Sequence, residues 1–139
     1  MQSVRFQVQR WKSVSHGVKG FEDLRVFLEA RSLTEQIWRI TRSGPLCSDR
    51  VLIGQLRRAS LSIVSNIAEG SERGSRAEFG RFLKIAKASC GEVRAQALIA
   101  ADLKYISERQ CDELCSAARH VSAGLAKLAV YLASATREA

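Results

Sequence analysis

The chain carries one proline, two tyrosines, two histidines and only 6% aromatic residues in its 139 positions. With few β-branched runs beside them, a sandwich or barrel of many short strands is excluded. No apolar run approaches the ~18 to 20 residues of a membrane-crossing helix. The first twenty residues hold no continuous apolar core of signal-peptide length, so a cytoplasmic protein without membrane contact is expected.

Chemistry-bearing groups are also sparse. His16 and His120 stand alone, and no Cys-x-x-Cys pair occurs among Cys47, Cys90, Cys111 and Cys115. Cys111 and Cys115 lie one helical turn apart, which supplies half a metal site at most. Without a secretory signal the four are expected as reduced thiols used as small core residues. There is no Ser-His-Asp set and no carboxylate pair in an evident cleft. Gly70-Ser71-Glu72-Arg73-Gly74-Ser75 lacks the Gly-Lys-Ser/Thr ending that cradles a nucleotide phosphate and reads as a turn between helices. No catalytic residue, metal or cofactor is assigned, and a protein that is not an enzyme is expected.

What is present is helical periodicity. Hydrophobic residues make up 46% of the chain, enough for one domain with its own core. A first helix is predicted from Phe21-Glu22-Asp23 to about Thr41, with Leu24, Phe27, Ala30, Leu33, Ile37 and Ile40 at three- and four-residue steps. Arg42-Ser43-Gly44-Pro45 breaks it. A second helix follows a Ser48 or Asp49 cap and ends at Gly70, read as its C′ residue. Ser75-x-x-Glu78 and Ser107-x-x-Gln110 are capping boxes that open a third and a fourth helix. Four helices with short connections predict an all-α, antiparallel up-down-up-down four-helix bundle over residues 21–139, preceded by a basic N-terminal arm over 1–20. Trp11 in that arm is read as pinning it to the body.

The second helix is apolar on two sides. Leu52, Leu56, Ala59, Ile63 and Ile67 form one face, and Ile53, Leu61, Val64 and Ala68 form another, which calls for two partners and suggests self-association. Between them runs a polar stripe of Gln55, Arg58, Ser62, Asn66 and Glu69. Arg58 and Glu69 lie about three turns apart and cannot meet within one helix, so each is expected to find its partner on another helix or subunit. Asn66 is read as a register-fixing polar residue. Assembly is assigned to Arg57, Arg58, Leu61, Val64, Asn66 and Glu69.

The formal charge of +8 is unevenly spread. Residues 1–20 hold Arg5, Arg10, Lys12 and Lys19 and no acid, and residues 73–91 hold Arg73, Arg76, Arg81, Lys84 and Lys87 against Glu78 alone. Arg76, Lys84, Lys87 and Arg94 share a face of the third helix, with Arg73 and Arg81 close to it. These six are the candidate nucleic-acid-binding residues, meeting phosphates rather than reading bases, since no recognition-helix motif or aromatic platform is evident.

Several segments resemble a known family. They are Phe21-Glu22-Asp23-Leu24, Gln55-Leu56-Arg57-Arg58-Ala59, Ser62-Ile63, Asn66-Ile67-Ala68-Glu69-Gly70, Glu78-Phe79, Phe82-Leu83 and Ile85-Ala86, followed by Ser89 and Glu92. Together they are similar to the bacterial four-helix bundle proteins encoded in intervening sequences of large-subunit ribosomal RNA genes. Those are related to the accessory variability proteins of diversity-generating retroelements. The resemblance runs from about residue 19 to about 133. It implies an antiparallel bundle assembled as a ring, typically a homopentamer, with a basic surface suited to RNA or DNA. For the retroelement branch it implies docking to a reverse transcriptase. After Pro45 the family carries an acidic and an aromatic residue where this chain has Ser48 and Arg50. The expected function is therefore a non-enzymatic, homo-oligomeric nucleic-acid-binding bundle. The alternative is a protein-interaction scaffold without direct nucleic-acid binding.

Overall fold

The helix ends are written in local chemistry, and they place everything else. The computed structural model describes residues 20–138, with side chains for all of these except Asp23 and 135–138. The basic arm, Trp11 included, lies outside the described residues apart from Gly20. The helices are α1 (Arg25–Thr41), α2 (Arg50–Glu72), α3 (Arg76–Asp102) and α4 (Glu108–Glu138). No strand occurs among the described residues.

The first helix starts later than its acids suggest. Phe21–Asp23 form a single 3-10 turn, Leu24 is extended, and α1 begins at Arg25 without a side-chain cap. Leu24 is fully buried, and the Phe21 ring meets Phe27 edge-on at 4.9 Å, so burial sets this entry. At α2 the cap is Asp49, whose carboxylate accepts the Leu52 amide at 3.0 Å. Ser48 instead donates to the Pro45 carbonyl within the short 3-10 turn Pro45–Ser48.

Gly70 is not the C′ residue of α2. The helix continues to Glu72, and the left-handed position after it is Gly74, at φ +84°. Gly70 is buried because α3 passes over it. A Cβ there would lie 2.6 Å from Phe82 Cβ and 3.1 Å from Phe79 Cδ1. The residue is small so that two helices can approach, not so that one can stop.

Ser75 caps α3 by accepting the Glu78 amide at 3.1 Å, but the reciprocal half of the box is not formed, because the Glu78 carboxylate pairs with Arg81. Both halves form at α4, where Ser107 Oγ accepts the Gln110 amide at 3.0 Å and Gln110 Oε1 accepts the Ser107 amide at 2.8 Å. α3 stops at Asp102 in a Schellman turn. The Tyr105 amide bonds Ala100 O, the Lys104 amide bonds Ala101 O, both at 2.9 Å, and Lys104 is left-handed at φ +64°.

Contacts between helices run in opposite directions along every neighbouring pair. Arg57 meets Thr41 and Ser60 meets Thr34, Ser62 meets Ser89 and Gly70 meets Phe82, and Gly124 meets Val26 while His120 meets Glu29. The bundle is antiparallel, up-down-up-down, and its core is the periodic face of each helix. Leu33, Ile37, Leu56, Ile63, Ile67, Phe79, Leu83, Leu114, Leu125 and Leu128 are all fully or almost fully buried. Each such side chain contributes roughly 1.5–3 kcal/mol by removal from water. On the second apolar side of α2, Ile53 and Val64 pack against the rim of the core, whereas Leu61 stays 46% exposed.

Candidate nucleic-acid interface

The six cations assigned to nucleic acid separate into two groups. Arg73 and Arg81 turn toward α2 and stack from two directions on the Phe82 ring, at 5.1 and 4.7 Å from its centroid. Each is also paired along its own chain segment, Arg73 with Glu69 at 2.8 Å and Arg81 with Glu78 at 3.1 Å. Exposed pairs of this kind add little stability, but they do cancel charge. Arg76 is half-buried at the start of α3.

Lys84 and Lys87 turn the other way. They are exposed and line an apolar groove of about 310 Å³ between α3 and α4, with Leu125, Ala126, Ala129 and Val130 on its far wall. Among the described residues no carboxylate reaches either ammonium. Arg94 lies deeper, its Nε buried without a hydrogen-bond partner and its carbonyl facing the Cys115 thiol at 3.9 Å. Burial pushes the nearby Cys90 thiol up to about 11, although the Arg94 and Lys87 charges pull the other way.

The antiparallel pairing joins two stretches that lack acids. None occurs between Glu78 and Glu92 on α3, nor between Glu113 and Glu138 on α4, and these stretches lie side by side. Arg119 and Lys127 are exposed on the acid-free stretch of α4, as Lys84 and Lys87 are on that of α3. Neither was singled out by sequence reasoning; the signal was the acid-free length of α4, which acquires meaning only once its neighbour is known. The opposite end of the same helix pair is acidic, with Glu108, Asp112 and Glu113 along one exposed groove beside Arg109.

The polar stripe of α2 is satisfied within the chain, which corrects the expectation for two of its members. Arg58 bonds Gln55 and Glu69 bonds Arg73, so within the chain each finds its partner a turn away and not on another helix. Asn66 donates to the Ser62 carbonyl at 2.8 Å and to its hydroxyl at 3.0 Å. Ser62 and Ser89, hydroxyl to hydroxyl at 2.8 Å, are the link that crosses to α3. Arg57 faces α1, donating from Nε to Thr41 Oγ1 at 2.9 Å. Of the six residues assigned to assembly, Leu61 is the exposed apolar one, with Val64 half-buried beside it.

Fold and surface together define a small antiparallel helical bundle with a cationic half-face. The description of the 23S rRNA-intervening sequence protein family matches residues 22–127, and the chain belongs to that family. A crystal structure of a protein of unknown function from the S23 ribosomal protein family of Bacteroides thetaiotaomicron has the same fold. Its TM-score is 0.68 at 20% identity, over 75% of this chain and 97% of that one. No curated protein matches. Among the described residues no helix is long and apolar enough to cross a membrane.

Proposed function

We propose that this chain is a non-enzymatic, self-associating, cytoplasmic bundle that binds RNA or DNA through phosphate contacts. The observation that carries the reading is the acid-free half of the α3–α4 pair, where Lys84, Lys87, Arg119 and Lys127 stand exposed. Counterions released as such residues meet a polyanion drive binding without regard to sequence. Self-association multiplies the effect, because each further subunit engages at high effective concentration. The family resemblance suggests five subunits, and the exposed Leu61 on α2 is the natural centre of a contact between copies.

The test is anisotropy of labelled RNA and DNA oligonucleotides over a salt series. The logarithm of affinity should fall linearly with that of salt, by about 0.7–0.9 per phosphate engaged. Lys84→Glu with Lys87→Glu should weaken binding at least tenfold. Salt-independent binding, or a double variant that binds as wild type, removes this reading and leaves a protein scaffold, with a polymerase such as a reverse transcriptase as the partner to assay. Light scattering of wild type and Leu61→Glu tests assembly, and a wild-type monomer removes it.

A further inference from the structure

A second cationic cluster lies on the edge of the bundle opposite Lys84 and Lys87, where α1 meets α2. Arg57 reaches across from α2 and lays its guanidinium over the Trp38 ring, Cζ at 4.9 Å from the centroid. Its Nε donates to Thr41 Oγ1 at 2.9 Å, and that hydroxyl donates in turn to the Ile37 carbonyl at 2.8 Å. The guanidinium is thus held by ring and hydroxyl together, and among the described residues no carboxylate pairs with it. An open groove of about 430 Å³ adjoins it, lined by Thr34, Glu35, Trp38, Arg39 and Arg42. That volume falls in the range of small-ligand sites. Arg39 and Arg42 are exposed and, among the described residues, also without a carboxylate partner. The groove thus holds two guanidiniums and one acid, Glu35, with Arg57 on the far side of Trp38 and Thr41 adding a third cation.

A solvated arginine needs none of this arrangement. A planar cation fixed on an indole presents a flat, ordered surface, which suits the face of a nucleobase. Arg39 in the last turn of α1 and Arg42 at its C-cap supply forks for the adjoining phosphates. A duplex keeps its base faces stacked inside and offers this surface nothing but its backbone. An acidic peptide could use the charges but not the plane.

We propose that the Trp38–Arg57 pair with Arg39 and Arg42 is a single-strand site, stacking one base and holding the phosphates beside it. This deepens the nucleic-acid reading above and rests on it, while using a different edge of the molecule from Lys84 and Lys87.

Trp11→Phe leaves Trp38 as the sole tryptophan of the full chain. Titration with a single-stranded oligonucleotide should quench Trp38 saturably, and the matching duplex or polyglutamate should do so far less. Arg57→Gln should weaken single-strand binding about tenfold, the order expected for losing one stacked base, and Glu35→Gln should tighten it severalfold. Because Arg57 also joins two helices, Arg39→Glu with Arg42→Glu repeats the test on exposed side chains and should weaken binding at least as much. If oligonucleotides bind by anisotropy and depend on Lys84 and Lys87, yet Trp38 is silent and these variants bind as wild type, this site is wrong and the broader reading stands. Equal quenching by polyglutamate makes it an acidic-peptide surface and overturns the proposal. No oligonucleotide binding at low salt ends both.

Discussion

Replacing Gly70 by alanine should destabilise the bundle, although alanine is the better helix former. Gly70 is inside α2, so the substitution gains about 1 kcal/mol of helix propensity. Against this, the new methyl would sit 2.6 Å from Phe82 Cβ and 3.4 Å from the Phe79 carbonyl oxygen. Neither neighbour is the free end of a side chain, so relief requires α2 and α3 to part by a large fraction of an ångström. Overpacking of that kind costs about 1–3 kcal/mol, more where backbone must move. The net expectation is a loss of up to about 2 kcal/mol. Gly54, in the same helix, is the internal control, since it is exposed and nothing lies within 4 Å of the position its Cβ would take. Gly54→Ala should stabilise by about 1 kcal/mol through the same propensity term. Urea unfolding of both variants, at one protein concentration so that assembly does not enter, separates them by about 1–3 kcal/mol. If Gly70→Ala unfolds at or above the wild-type midpoint while Gly54→Ala behaves as stated, the close approach of α2 and α3 is not what keeps this position small.

Lys104→Gly should stabilise by about 0.5–1 kcal/mol, because a left-handed residue with a side chain closes α3; an unchanged urea midpoint would count against that strain. With its thiol pushed from 9.0 up to about 11, Cys90 favours the folded state while neutral. The unfolded chain ionises first, so this stability is full below about pH 9 and is lost as pH rises toward about 11. Cys90→Ala should flatten that part of the stability profile, and a profile identical to wild type would dismiss the effect. In the native protein exposed Cys47 should react quickly with a thiol reagent while buried Cys90, Cys111 and Cys115 react slowly; four equal rates would contradict the packing. Asp49 holds the Tyr105 phenol above its ordinary range, chiefly by a hydrogen bond. Asp49→Asn keeps a good cap but removes the charge, so the phenol should titrate lower by ultraviolet absorbance with helix content unchanged.

What could be read from the sequence was what depends on near neighbours. The Ser75 and Ser107 caps, the break at Gly44, and the buried faces of α3 and α4 each follow from residues a turn or two apart. What could not be read depends on register between helices. Gly70 resembled a stop because glycine near the end of a periodic run usually is one, and only the position of Phe82 reveals the other use. Arg58 and Glu69 were expected to reach across helices, yet Gln55 and Arg73, one turn away on the same strand of sequence, satisfy them. Arg119 and Lys127 carry no local signal, and Trp38 with Arg57 becomes a unit only when α1 and α2 are laid antiparallel.

Asp49 ties together two ends that are distant in sequence. The same carboxylate that accepts the Leu52 amide at the start of α2 lies close enough to the Tyr105 phenol, just past the end of α3, to raise its titration. Helix ends ordinarily fray one at a time, since each is closed by its own cap. Here one side chain stands between both ends, so the first turn of α2 and the last of α3 should open as one event. Amide exchange at Leu52 and at Tyr105 would then share a single opening free energy, and that end of the bundle would melt as a unit smaller than the domain.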